Sequence, residues 1–109
     1  MTVHFYGSKR PSKVSAMGTV FCVKWFEEME SMGEIDFHTC TIRINKDLTP
    51  QLAVDTLIHE LIHAVWFFAS VGKKAKEEKA VSVIASGLNS IFAANEGLAD
   101  WIEEVHHDK

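Results

Sequence analysis

Asp55-Thr-Leu-Ile-His-Glu-Leu-Ile-His-Ala-Val-Trp66 is the stretch on which the reading of this chain turns. Within it, His59-Glu60-Leu61-Ile62-His63 has H-E-x-x-H spacing. On a helix, residues four apart stand one above the other on the same face. His59 and His63 can therefore hold one metal ion through two imidazole nitrogens, and Glu60 can act as general base on a water bound to it. Leu57, Ile58, Leu61, Ile62, Ala64, Val65, Trp66 and Phe67 make the run apolar nearly all round, the pattern of a buried helix. Titratable side chains are rarely buried unless they are paired or bound to metal. The competing reading is two satisfied core histidines with an incidental glutamate; the complete motif inside one helical run favours zinc.

Outward from the motif, Thr49-Pro50 opens the helix. Thr is a preferred N-cap, and Pro suits the first helical position because its missing N–H has no partner there. The helix is expected to run to about Ser70, with Gly72 as its stop. Asp55 falls one turn before His59, where it either orients an imidazole or lies at the surface. A second helix, antiparallel to the first, is expected over residues 76–94. Its apolar positions, Val81, Ile84, Ala85, Leu88, Ile91 and Phe92, keep helical spacing. Asn95-Glu-Gly97 breaks it, and Leu98 to Val105 forms a short last helix. His106 and His107 belong to a terminal tail, where fraying is expected in place of a metal site.

Before the motif the chain reads as strands. Thr2 to Tyr6 alternates, and Thr19 to Phe26 is rich in β-branched and aromatic residues. Gly7 to Lys13 is a turn or loop, and Val14 to Gly18 fits neither class. Glu27 to Met32 either extends the second strand or makes a helical turn before Gly33 breaks the pattern. Glu34-Ile-Asp-Phe37 and Thr41-Ile-Arg-Ile-Asn45 form a hairpin, with Ile42 and Ile44 on one face. The fold class is α+β: one domain spanning residues 1–109, a short N-terminal sheet of three to four strands on a buried motif helix, then two further helices.

A chain of 109 residues can bury a core without disulfide support. Its 47% apolar and 24% charged content is ordinary for globular proteins. The formal net charge of −4 argues against nucleic acid as a partner, since phosphate binding needs a basic face. Lys73, Lys74 and Lys76 are followed by Glu77 and Glu78 and read as a solvated loop. Cys22 and Cys40 are too few for a disulfide framework and are expected as buried free thiols in strands. Trp25 and Trp101 are expected in the core or as a covered edge, with an interface as the alternative. Met1 to Arg10 does not read as a signal peptide, and the longest apolar stretch, Ala64 to Val71, is too short for a membrane span. A soluble, cytoplasmic setting follows as the expectation.

Catalytic zinc takes three protein ligands and keeps a fourth position for water. Residues 66–69 read Trp-Phe-Phe-Ala, so no third histidine follows on the same segment. The remaining candidate is a carboxylate near the start of the second helix, Glu77 or Glu78. These flank the packed face to either side of Val81, and spacing does not choose between them.

Thr56-Leu-Ile-His-Glu-Leu-Ile-His-Ala64, with Glu77-Glu-Lys-Ala-Val81 and Ala85-Ser-Gly-Leu88, resembles the small phage- and prophage-encoded zincin-like proteins. These are minimal metallopeptidase-like domains of the gluzincin type, similar in plan to the ImmA/IrrE and SprT-like peptidase domains. The resemblance spans Gly33 to Asn95. It implies a zincin-like fold, a zinc cofactor and a peptide or protein substrate. It also implies a third ligand from the second helix: Glu78 followed by Ser82 fits better than Glu77 followed by Val81, although the class carries Asp, Asn or Glu where this chain has Ser82. It further implies an edge strand beside the cleft, for which Thr41 to Asn45 is the candidate. The expected activity is zinc-dependent hydrolysis of peptides, Glu60 taking a proton from the zinc-bound water and passing it to the leaving amine. The oxyanion donor is left open among Tyr6, His4 and His38. The alternative is a non-catalytic, metal-stabilised phage accessory or regulatory protein, against which the intact Glu60 argues. A helical interaction domain without metal is the third reading.

Overall fold

A computed structural model of the chain describes residues 3–4, 10–69 and 77–107. Its elements run β1 (Val3–His4), β2 (Lys13–Ala16), β3 (Thr19–Phe26), β4 (Gly33–Asp36), β5 (Thr41–Asn45), α1 (Pro50–Phe68), α2 (Glu77–Ala94), β6 (Asn95–Glu96) and α3 (Leu98–His107). The class is α+β, with a four-stranded sheet in the order β2-β3-β5-β4 and a separate two-stranded parallel pair, β1 with β6.

The segment from Val14 to Gly18 resolves into the end of β2 and a two-residue turn. Ala16 pairs with Thr19, and Met17 and Gly18 both have positive φ, 53° and 81°. This is the mirror-image turn whose twist suits a hairpin. Met is not a residue that signals it, which explains why the segment is illegible in the sequence. Glu27 to Met32 forms a loop, with Glu28 also at positive φ.

The hairpin of β4 and β5 is as expected, but its place in the sheet is not. Thr41–Asn45 is not the edge strand. It lies between β3, to which it is parallel, and β4, to which it is antiparallel. Ile42 and Ile44 are fully buried and Thr41 nearly so, as in a strand covered on both sides. The edge belongs to β4.

The inner face of the sheet, carried by Val14, Phe21, Val23, Ile42 and Ile44, packs on Val54, Leu57, Leu61 and Val65 of α1. Ile91, Leu98 and Trp101 close the core from the far side. Thr49 caps α1 as its sequence predicts: its Oγ1 accepts from the Leu52 N–H at 3.3 Å, and Pro50 takes the first turn. The helix ends at Phe68 with Ala69 as C-cap; Gly72 lies outside the described residues.

Gly87 of α2 seats directly on Val65 of α1. The next turn of α2, with Leu88, Ile91 and Phe92, lines a small apolar cavity with Leu57, Ile58 and Leu61. Those α1 residues precede Val65, so the two helices run antiparallel, as expected.

The free thiols are not the buried strand residues that were expected. Cys22 faces solvent from β3, and half-buried Cys40 ends the β4–β5 turn at φ 50°. Trp101 is in the core, while Trp25 is half-buried, its Nε1 donating to the Pro11 carbonyl at 2.9 Å beneath the Arg10 guanidinium. Among the described residues, no helix is long and apolar enough to cross a membrane.

Candidate metal centre

The motif helix is not buried all round. Its sheet and helix contacts cover Ala53, Val54, Thr56, Leu57, Glu60, Leu61, Ala64 and Val65. The stripe Leu52, Asp55, His59, His63 and Phe67 faces solvent. The expectation of two buried histidines is therefore corrected. The cause is that the described sheet and helices cover α1 on two sides, and the i, i+4 repeat carries both histidines along the side they leave open. The buried titratable member of the motif is Glu60, at 5% exposure.

On this open stripe the two imidazoles converge. Their Nε2 atoms stand 3.2 Å apart, with ring planes at 77°. Two nitrogens bound tetrahedrally to zinc at 2.0–2.1 Å lie about 3.3 Å from one another. The pair thus has the separation a shared zinc ion requires.

Glu60 points around the helix from the histidines, toward β4. Gly33 makes room for it there. A Cβ on Gly33 would stand 2.5 Å from Thr56 Cγ2, 3.1 Å from the Arg43 carbonyl oxygen and 3.5 Å from Glu60 Oε2. Thr56 has little freedom to give way, because its hydroxyl donates to the Leu52 carbonyl at 2.7 Å. Burial pushes the Glu60 carboxyl above the usual glutamate range; His59 and His63 pull it down, and the Glu34 carboxylate pushes it up further. A carboxylate raised in this way accepts a proton more readily than an exposed one does.

Between the start of β4 and α1 lies a cleft of about 360 Å³, bordered by Met32, Gly33, Leu52, Asp55, His59 and Glu60. Asp55 is exposed on its wall, and no hydrogen bond joins it to His59 among the described residues. A second hollow of about 490 Å³ lies at the other end of β4, against Asp36, Phe37, His38, Arg43 and Phe67.

The edge of β4 adds backbone groups to this groove. The Asn45 N–H donates to the Met32 carbonyl at 2.9 Å, directly across the ladder. Antiparallel pairs alternate between bonded and non-bonded. Glu34 with Arg43 and Asp36 with Thr41 are therefore the next bonded pairs, and Gly33 and Ile35 turn their N–H and C=O groups to the open edge. Sequence reading passed over Gly33 as a mere break; a glycine next to a strand is the signal of close backbone approach that marked it.

The third-ligand candidates Glu78 and Glu77 open α2, and their side chains lie outside the described residues. From Gly87 back to Glu78 is nine residues, about 13 Å of helix axis. Because α2 is antiparallel to α1, its first turn lies beyond Val65 on the side away from His59. Ser82 is exposed. Among the described residues, no group of three His, Cys, Asp or Glu side chains is placed to hold a metal ion. Of the candidate oxyanion donors, Tyr6 lies outside the described residues, as does the His4 side chain, and exposed His38 borders the second hollow.

No family model, curated protein or solved structure matches the chain.

Proposed function

We propose that the chain is a zinc-dependent hydrolase acting on peptides. The observation that carries this reading is the 3.2 Å approach of the solvent-facing His59 and His63 imidazole nitrogens, with His59 and the buried Glu60 on the wall of an open cleft. His59 and His63 are the proposed metal ligands. The resemblance to gluzincin-type zincin-like proteins makes Glu78, with Glu77 as its rival, the proposed third, a role that requires the first turn of α2 to approach the histidine pair.

Zinc, when bound, supplies Lewis acidity that acidifies water and polarises a carbonyl. The chain's own residues supply the rest. Glu60 takes the proton from the attacking water and delivers it to the departing amine, a role that its raised carboxyl suits. Gly33 and Ile35 offer edge hydrogen bonds that align an extended substrate backbone beside Glu60. A purely structural site takes four protein ligands and is closed; an exposed pair beside a cleft supports the open arrangement instead.

The test is zinc stoichiometry followed by turnover. Protein purified without chelator or histidine tag is expected to hold about one zinc per chain. Glu60→Gln is expected to retain the zinc and to lose at least about a hundredfold in peptide hydrolysis. Hydrolysis that survives in Glu60→Gln rejects the mechanism.

A further inference from the structure

The groove beside the metal centre has a pattern of its own. Leu52 and Met32 are among the few large apolar side chains left exposed, at 43% and 55%, and both border the cleft that reaches Glu60. Phe67, also 55% exposed, is stacked on Phe37 with ring centroids 4.0 Å apart, and both border the hollow at the other end of β4. The helix α1 runs alongside β4 in the same direction, because its early residue Thr56 meets Gly33 and its late residue Phe67 meets Phe37. One open strand edge thus has an apolar seat at each end. From Gly33 to Phe37 is four residues of extended chain, about 13 Å.

Between the seats carboxylates outnumber guanidinium groups. Glu34 and Asp36 lie on the β4 side with Arg43, which is 3.4 Å from Glu34, and Asp55 lies on the α1 side, one turn before His59. Among the described residues the edge N–H and C=O groups of Gly33 and Ile35 have no strand partner, and such a row suits a regularly spaced backbone rather than a compact small molecule. Alternating residues of an extended chain face alternate sides, so two side chains about four residues apart point the same way.

We infer that the groove selects extended polypeptide segments carrying two large apolar residues about four positions apart, with basic rather than acidic residues between them. Leu52 and Met32 seat the residue next to the reacting bond, and the Phe37–Phe67 pair seats the distal one. This specificity rests on the hydrolase reading of the same site.

Three fluorescein-labelled dodecapeptides test it. The first has Leu and Phe four residues apart in a background of Ser with two intervening Lys. The second has the same residues with Leu and Phe adjacent, and the third has Glu in place of both Lys. Binding is measured to zinc-loaded Glu60→Gln, and cleavage with the unsubstituted chain. The first peptide is expected to bind at least about tenfold more tightly than either control. Leu52→Ser and Phe67→Ser, both exposed positions whose folding is checked by circular dichroism, are each expected to erase about tenfold of that preference. Equal binding of the three peptides, no binding of any, or a preference indifferent to both substitutions overturns the inference. A preference without cleavage upholds the groove specificity and removes the hydrolase reading. Equal cleavage of all three upholds the hydrolase and removes the specificity.

Discussion

The Nε2 atoms of His59 and His63 stand 3.2 Å apart on the open face of α1, close enough to share one ion or one proton. These alternatives differ in what zinc does to stability. An ion that binds only the folded chain stabilises it by mass action, about 2.7 kcal/mol at a hundred times Kd. Zinc is therefore expected to raise the thermal midpoint by several degrees, and His63→Ala to abolish the rise. An unchanged midpoint in unsubstituted protein with excess zinc rejects the pair as a metal site.

The third ligand is decided by the same measurement on the first turn of α2. Glu78→Ala is expected to lower zinc affinity by at least about tenfold, with Glu77→Ala leaving it unchanged; outer partners alone account for losses of that size. The reverse result assigns the position to Glu77. Equal affinity in both variants shows that neither carboxylate reaches the histidine pair, which the axial offset of that turn makes a pointed test.

Gly33 and Thr56 hold β4 and α1 in close approach. Gly33→Ala drives a methyl into Thr56 Cγ2, so the strand edge must move outward from the helix. Overpacking of this kind costs about 1–3 kcal/mol. The displacement also widens the space at Glu60, so peptide hydrolysis is expected to fall more than stability does. Gly33→Ala combined with Thr56→Ser removes the obstructing methyl and is expected to restore the greater part of both. Failure of that rescue separates the loss from the contact.

Much of this architecture is legible in the sequence. Thr49-Pro50 announces the start of α1, the β-branched run sets β3 at residues 19–26, and Asn95-Glu-Gly97 marks the end of α2. These are local signals. What escapes is set by distant pairing. No periodicity places β5 between β3 and β4, because the parallel partnership of Cys22 with Thr41 joins segments across an intervening loop and strand, β4. The histidines read as buried because their flanks are apolar, yet exposure depends on which face the sheet and α2 leave open. Asn95 reads as a helix breaker, but its side chain also spans to β2.

Asp36 fixes the β4–β5 turn. Its Oδ1 accepts from the backbone N–H of His38 at 2.8 Å and of Thr39 at 3.2 Å. The Thr39 and His38 hydrogen bonds hold its carboxyl below the usual aspartate range. A carboxyl lowered on folding contributes stability that is fully present above its unfolded pKa and is lost as pH falls through its folded one. Asp36→Asn keeps an acceptor oxygen and removes the titration. The difference in thermal midpoint between the two chains is expected to be constant near neutral pH and to shift against the unsubstituted chain only below the ordinary aspartate pKa. A difference that is already changing at pH 6 excludes Asp36 as its source.

Asn95 is 1% exposed and acts as a peptide group for the free side of β2. Its Oδ1 accepts from the Ser15 N–H at 2.8 Å, and its Nδ2 donates to the Ser15 and Ile91 carbonyls, both at 2.7 Å. Removing the amide strands buried backbone groups, each costing about 1–3 kcal/mol. Asn95→Ala is expected to lower stability by several kcal/mol in denaturant unfolding. Asn95→Asp distinguishes hydrogen bonding from shape, because an ionised carboxylate there would face two carbonyl oxygens. Burial raises the carboxyl's folded pKa, so the variant is expected to be least damaged at acidic pH and to lose stability as pH rises through that value. Equal damage at pH 4.5 and pH 7 contradicts the assigned donor role of Nδ2 and leaves only the fit of the side chain.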